Sequence, residues 1–574
     1  MHINLRLAAA CAALLSLLGP AAAADPPRAT AGPPADYTKI RGLSAYRYEK
    51  VVTTSLMLPM RDGVSVYVEV TRPNARGRFP VIAEISPYHG TLYERDGSRM
   101  LPEQGGLVGY FVPRGYAVVM MDLRGTGRSQ GCLDHMGPKD QADAKRVVEW
   151  AASQPWSNGR VGVIGHSYPG GTSVMTLAQR PKGLATVVVS AGLGSMYEHQ
   201  FQGGVPYLGQ FLGPIEAYEQ LAIERHLPGG DNFGNDMQYF GCGLTQSAIV
   251  AGEDQLSGRY SDWHEVRDFR KNAAAANTPV FVIHGTNDRA ARIAALDWFV
   301  RRNGRRGADK VWIGQWDHGS GCCPNRRGYQ WTRALHAWFD KHLLGRSVDT
   351  GPPVEIFMTD RPDAEAAVGA RGVVFTARRY PGSPRMVRLF PDAAGDELST
   401  NPPLDVATDS FTGDPRGVLG RDLTGGVTFR GPPARGDVLF AGLPRLRLAV
   451  SVTVPRVHLI ANVLDEARDG TQRRLTQFAI NPELREGLGT RSLVVPGARY
   501  VMHPPPFPMA HLLRKGHRLV LRITTSDPDK IPLFAVDPNV TVYTGPGQTL
   551  LELPVVDRPV LYPDRVSLKE PGAR

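Results

Sequence analysis

Gly165-His166-Ser167-Tyr168-Pro169-Gly170-Gly171 stands between an apolar, β-branched run, Val161-Gly162-Val163-Ile164, and a helix-compatible segment, Thr172 to Gln179. The pattern predicts a strand, a tight turn and a helix, with the serine at the turn. Glycines suit such a turn because its inner side has no room for side chains. The helix start aims backbone N–H groups at any anion formed on the serine's partner. The usual spacing has glycine two residues after the serine, whereas Pro169 occupies that place here and Gly170 follows. Proline fits the first helical turn, where its missing N–H has no intrahelical partner to lose. Tyr168 keeps its N–H and can donate it to an oxyanion. A Gly-Ser turn without chemistry has the same local look, so the rest of the chain must decide.

Working outward, strands alternate with helices from Tyr46 to about Ser190. Val81 to Ile85 and Tyr116 to Met121 are short apolar runs ending at loops, as buried parallel strands do. Asp140 to Ala151 is helical in pattern, with Ala144, Val147, Val148 and Ala151 on one face. The rhythm breaks over roughly 192–276, which reads as an inserted helical cap with its clearest helix at Glu216 to Arg225. It resumes at Val280-Phe281-Val282-Ile283 and Val311-Trp312-Ile313. After about Arg346, alternation of period two takes over at 446–454, 457–464, 474–480 and 518–523, with an Asp469-Gly470 turn. The expected fold class is therefore an α/β core over 45–345, interrupted by the cap, followed by an all-β sandwich over 346–574.

A serine nucleophile needs a histidine base and a carboxylate to orient it. Both belong on loops at the C-terminal ends of strands. Asp288 follows the 280–283 run through His284-Gly285-Thr286-Asn287, and His318 follows the 311–313 run through Gly314-Gln315-Trp316-Asp317. The order Ser167, Asp288, His318 is that of α/β-hydrolases. Asp317 competes for the orienting role, but adjacent side chains of an extended segment point to opposite sides. His166 and His284 flank the site and suit packing or hydrogen bonding. A second oxyanion donor should come from an earlier strand end, and Ser86-Pro87-Tyr88 offers the Tyr88 phenol, which stays protonated at working pH.

The ends and the composition set bounds. Arg6, the apolar stretch Leu7 to Leu18 and Ala22-Ala23-Ala24 read as a signal peptide over 1–24, and the Pro- and Ala-rich residues 25–44 as a disordered leader. An exported protein, secreted or periplasmic, is expected. No later run of about 20 apolar residues suggests a membrane span. Cys132, Cys242, Cys322 and Cys323 remain after the signal is removed, an even number in an oxidising compartment. A bridge between the neighbours Cys322 and Cys323 would strain their peptide, so each is expected to reach a distant partner among Cys132 and Cys242, with one bridge and two free thiols as the alternative. No ligand spacing supports a metal, and no cofactor is expected. The net charge of +11 is spread along the chain, without a nucleic-acid-binding motif. Oligomeric state is not readable.

At this point the chain resembles a known family. Ser86-Pro87-Tyr88, Asp122-Leu123-Arg124-Gly125-Thr126-Gly127, the Ser167 heptapeptide, His284 to Asp288 and Trp316-Asp317-His318-Gly319 are similar, in that order, to motifs of the X-Pro dipeptidyl-peptidase and cocaine esterase group. That group also holds α-amino-acid ester hydrolases and glutaryl acylases. The resemblance implies a hydrolase core, a helical cap and a C-terminal jelly-roll, with an oxyanion hole formed by the Tyr88 hydroxyl and the Tyr168 N–H. It also implies that Gly125-Thr126-Gly127 is no dinucleotide site, as the missing third glycine already suggests. Pro169 departs from the larger apolar residue the group often has there.

Acyl transfer does not name a substrate. Residues 191–276 carry eleven acidic against five basic side chains, a net −6 within a basic chain. An acidic cap favours substrates with a free ammonium, such as X-Pro peptides or amino esters, over plain carboxylic esters. Glu216, Glu219 and Asp236 are the candidate substrate-binding carboxylates. A reading of another class, a surface-binding protein with a relict core, predicts no reaction with a fluorophosphonate.

Overall fold

A computed structural model describes residues 42–89, 95–101, 105–208, 242, 257–302, 308–318, 323–359, 372–377, 379–380, 384–413, 425–530, 537–557, 559 and 561–563. The apolar runs become the central strands of a mixed sheet. Ala117–Asp122, Phe79–Ser86, Ser157–His166, Leu184–Ser190, Val280–Gly285, Lys310–Gly314 and Val354–Thr359 lie side by side and parallel. Antiparallel strands close both edges: Ser65–Pro73 and Val51–Pro59 on one side, Gly372–Ala377 and Leu561–Pro563 on the other.

Period two explains how this sheet buries both faces. Val81, Ala83 and Ile85 point into one core with Val147, Val148, Val174 and Leu177 of the helices Pro138–Ser153 and Tyr168–Gln179. Ile82, Val118, Phe281 and Trp312 point the other way, onto Leu107 and Phe111 of Gly106–Phe111 and onto Trp331, Leu335, Trp338 and Phe339 of Cys323–Leu343. Two filled faces account for the near-continuous apolar character of these strands. Among the described residues, no helix is long and apolar enough to cross a membrane.

The second unit is an all-β sandwich of jelly-roll type. Arg445–Val452, Leu459–Glu466, Gln472–Ile480 and Arg518–Thr524 appear where the alternation places them, and Leu446, Leu448, Val450, Leu459, Ala461, Val463, Leu521 and Ile523 fill its core. Gly470 takes a φ of +84° in the turn before Gln472–Ile480, a conformation that favours glycine. The first sheet does not stop at residue 345, since Val354–Thr359, Gly372–Ala377 and Leu561–Pro563 belong to it. Hydropathy alternation alone cannot say which of two sheets a late strand joins.

Of the expected cap, 192–208, Cys242 and 257–276 are described, with short helices at Met196–Gln200, Asp262–Glu265 and Arg270–Ala275. The helix expected at 216–225 lies outside the described residues, as do 1–41. The cysteine expectation is corrected. Cys132 and Cys242 bond each other, with Cα atoms 5.5 Å apart, so neither can serve Cys322 or Cys323. Cys242 lies against the loop after Ala117–Asp122, its Sγ 3.9 Å from Gly131 O, and that contact chooses the pair; strain between neighbouring cysteines says nothing about it. Cys322 and the side chain of Cys323 lie outside the described residues.

Candidate active site

Ser157–His166 runs directly into Tyr168–Gln179, and Ser167 alone makes the turn, at φ 66° and ψ −125°. A positive φ on a residue with a Cβ is strained and persists only where the surroundings hold it. They do so closely here. Ser167 N–H donates to Ser190 O at 3.0 Å. A Cβ on Gly165 would stand 2.3 Å from the Pro169 backbone, and one on Gly170 would stand 2.6 Å from Ser190 O and 2.8 Å from Gly192 Cα. Pro169 is therefore accommodated by the bareness of Gly165, while Gly170 supplies the close approach to the neighbouring strand end. The helix begins at Tyr168, earlier than the sequence pattern indicates, and Pro169 sits in its first turn. Thr172 Oγ1 donates to Ile85 O at 2.7 Å, tying the helix to the strand that leads to Tyr88.

The structure brings the three predicted side chains together. His318 Nε2 lies 2.7 Å from Ser167 Oγ, and His318 Nδ1 lies 2.9 Å from Asp288 Oδ2. Asp288, not Asp317, partners the imidazole. Its other oxygen accepts from Ala290 N at 2.9 Å and Ala291 N at 2.8 Å. Burial pushes the Asp288 carboxyl up, but the His318 charge and hydrogen bond and the Ala291 N–H outweigh it and hold the group at about 2. Asp288 is thus ionised at any working pH, and its hydrogen bond favours the Nδ1–H tautomer, leaving Nε2 to accept. The loops carrying the two residues are stitched by Thr286 N to Gly314 O and Asn287 N to Trp316 O. Trp316 packs where any Cβ on Gly285 or Gly314 would stand, at 2.1 Å and 1.8 Å, so both glycines are required for the His318 loop to lie down.

The surrounding histidines stay neutral. Burial pulls His166 well below its ordinary range, His284 to about 4 and His199 to about 3. His166 bonds Ser190 Oγ through Nδ1 at 2.9 Å and lies against the His318 ring, centroids 5.0 Å apart. His284 Nε2 stands 3.9 Å from Asp288. His199 belongs to the cap helix Met196–Gln200, and nothing in its sequence context marked it.

Tyr88 is buried, two residues past the strand Phe79–Ser86, with its N–H donating to Ser86 Oγ at 3.0 Å. That strand pairs in parallel with Ser157–His166, so Tyr88 and the start of the Tyr168 helix share one end of the sheet. The Asp122 motif behaves as a structural turn. Asp122 accepts from Arg128 N at 2.9 Å and from Arg95 Nη2 at 2.6 Å, and a Cβ on Gly127 would meet its carboxylate at 2.3 Å. Arg124 binds Asp143 through two nitrogens, each at 2.7 Å. Glu216, Glu219 and Asp236 lie outside the described residues. Two other acids of the cap, Glu198 and Asp268, are engaged by Arg270.

The comparisons with known proteins agree with this architecture. Residues 62–320 match the model of the X-Pro dipeptidyl-peptidase (S15) family, and residues 348–553 match that of the X-Pro dipeptidyl-peptidase C-terminal non-catalytic domain. The chain belongs to the X-Pro dipeptidyl-peptidase and cocaine esterase group of α/β-hydrolases. A putative Xaa-Pro dipeptidyl-peptidase of Streptomyces avermitilis is 26% identical, across 92% of this chain and 86% of that protein. The cocaine esterase of a Rhodococcus species is 24% identical, across 83% and 91%. A CocE/NonD family hydrolase from Staphylococcus aureus shares the fold, with a TM-score of 0.70, 18% identity and coverage of 89% and 94%.

Proposed function

We propose that this chain is an exported serine hydrolase of acyl-enzyme type that releases X-Pro dipeptides from substrates with a free N-terminus. The observation that carries the chemistry is the chain of hydrogen bonds from Ser167 through His318 to Asp288, at 2.7 and 2.9 Å, on a strained serine. Ser167 Oγ attacks the scissile carbonyl while His318 Nε2 takes its proton, and Asp288 stabilises the resulting imidazolium. The negative charge on the carbonyl oxygen is met by the Tyr168 N–H at the helix start and by the Tyr88 hydroxyl. His318 then protonates the leaving amine, and water repeats the sequence on the acyl-enzyme.

The family model and the named peptidase relatives support the substrate class, as does the acidic surplus of the cap. Esters fit the same steps, and the cocaine esterase relative favours a carboxylesterase as the second reading. Export is supported by the signal-like start of the chain and by the Cys132–Cys242 bridge. The deciding experiment compares a Gly-Pro chromogenic substrate with its N-acetyl form. Recognition of the ammonium should make acetylation cost at least about a hundredfold in kcat/KM, about 2.7 kcal/mol. Equal cleavage would leave the esterase reading in its place.

A further inference from the structure

We infer that the cavity between the His318 loop and the β-sandwich is a leaving-group subsite in which Arg292 binds a carboxylate. The inference rests on the hydrolase reading above. The cavity holds about 720 Å³ and is walled by 286–290 and 292–293 of the Asp288 loop, by 315–318, and by 472–477, Phe507 and 527–529 of the sandwich. That is room for a residue or two. Its wall includes His318, the proton donor to the departing group, but among the described residues neither Ser167 nor the two tyrosines on the oxyanion side. The cavity therefore lies where the leaving group departs.

Its charged side chains are unequally occupied. Asp288 serves His318, and Asp527 accepts from Asn462, Gln477 and Arg474. Asp529 takes Arg474 and faces Arg289 at 3.8 Å. Arg292, by contrast, is only 9% exposed, makes no ion pair among the described residues, and its Nη1 has no hydrogen-bond partner. The guanidinium rests 3.4 Å from the Tyr207 ring centroid, and Lys530 Nζ stands 3.4 Å from the same ring, with Gln202 Oε1 its hydrogen-bond partner at 3.1 Å. Two buried basic side chains on one ring, with no carboxylate in contact among the described residues, are costly to the folded protein, and burial pulls both below their ordinary ranges. Arg292 also holds a φ of +24°, a strained value for a residue with a side chain. A carboxylate at Nη1 would relieve the unpaired charge. Asp317, beside His318, supplies the opposite polarity in the same cavity, with Oδ1 unpartnered among the described residues. An amino acid released as product presents this pair of charges: its new amine at His318 and Asp317, its carboxylate at Arg292.

The test uses the full-length enzyme and measures kcat/KM for Gly-Pro-Gly with a free C-terminus and for Gly-Pro-Gly amide. The wild type should favour the free acid at least tenfold, mostly through KM. Arg292→Gln should bring the ratio of the two substrates close to one, and Arg292→Lys should restore part of it. Equal use of both substrates by the wild type overturns the subsite, and needs no variant to fold. Retention of the preference by a folded Arg292→Gln enzyme overturns it as well. Should neither peptide be cleaved, the peptidase reading has failed, and the contrast passes to butyrate esters of 4-hydroxybenzoate and 4-hydroxybenzamide. A preference for the charged leaving group there sustains the subsite, while equal rates or no turnover reject it.

Discussion

The described residues include two Ser–His–Asp clusters, and one of the two has the geometry of a nucleophile. At the first, His318 bridges Ser167 and Asp288 through its two ring nitrogens. At the second, Ser44 Oγ lies 2.7 Å from His336 Nε2, but Ser44 donates to Asp340 directly at 2.8 Å, and the other nitrogen of His336 meets Tyr110 OH at 3.0 Å. Asp340 also takes Ser44 N and Tyr116 OH. The carboxylate there takes the serine directly and meets the same ring nitrogen, His336 Nε2, at 3.4 Å, so serine and carboxylate share one side of the imidazole and are not bridged by it. All three side chains are buried, at 4%, 2% and 0% exposure, whereas the His318 side chain keeps 20%. Ser44 precedes no helix and lies on no strained turn. The same three residue types thus anchor the segment before the first strand at one place and hold a half-buried hydroxyl at a strand-to-helix turn at another. Connectivity, access and a nearby helix start make the difference, not composition.

Substitutions can break this contrast. Ser167→Ala should lower kcat by about 10⁴- to 10⁶-fold with unchanged thermal stability. Ser44→Ala should leave kcat alone and cost about 1–3 kcal/mol of stability, because Asp340 loses a buried partner. Fluorophosphonate should label the wild type and the Ser44 variant but not the Ser167 variant. More than a tenth of the activity surviving in Ser167→Ala would end the assignment.

The carboxylates give the next largest effect. Asp288→Asn should cost about 10⁴-fold in kcat through the wrong histidine tautomer. Asp340→Asn should appear in denaturant melts instead. An Asp288→Asn enzyme within tenfold of wild type would show that another group orients His318. Tyr88→Phe removes one oxyanion donor and should cost about 3 kcal/mol of transition-state stabilisation. Unchanged turnover would move the second donor elsewhere.

The smallest effect concerns the histidines held neutral in both regions. Burial depresses His284 to about 4, His199 to about 3, and lowers His166 and His336 as well. Unfolded, these groups take up protons near 6.5. The unfolded chain therefore binds more protons below that value, and stability is complete above it and falls as pH drops towards 4. Tm measured from pH 7.5 to 4.5 should decline steadily. A flat profile would mean that these imidazoles protonate as easily folded as unfolded.

By itself the sequence determined what depends on local pattern. Apolar runs ending in Gly-rich loops located the strand ends, and strand ends located Ser167, Asp288 and His318. This works because a parallel sheet delivers every strand's C-terminus to one edge, so residues far apart in the chain converge there. The period-two stretches located the sandwich for the same kind of reason. Tertiary structure alone decided which cysteine bonds which, which sheet takes the strands after residue 346, and that Arg292, Tyr207 and Lys530 meet. Those contacts join segments from the core, the cap and the sandwich, and a buried arginine four residues after Asp288 reads, in sequence, like any exposed one. Periodicity reports the burial of a face, but the identity of what covers that face is fixed only when the separate units pack.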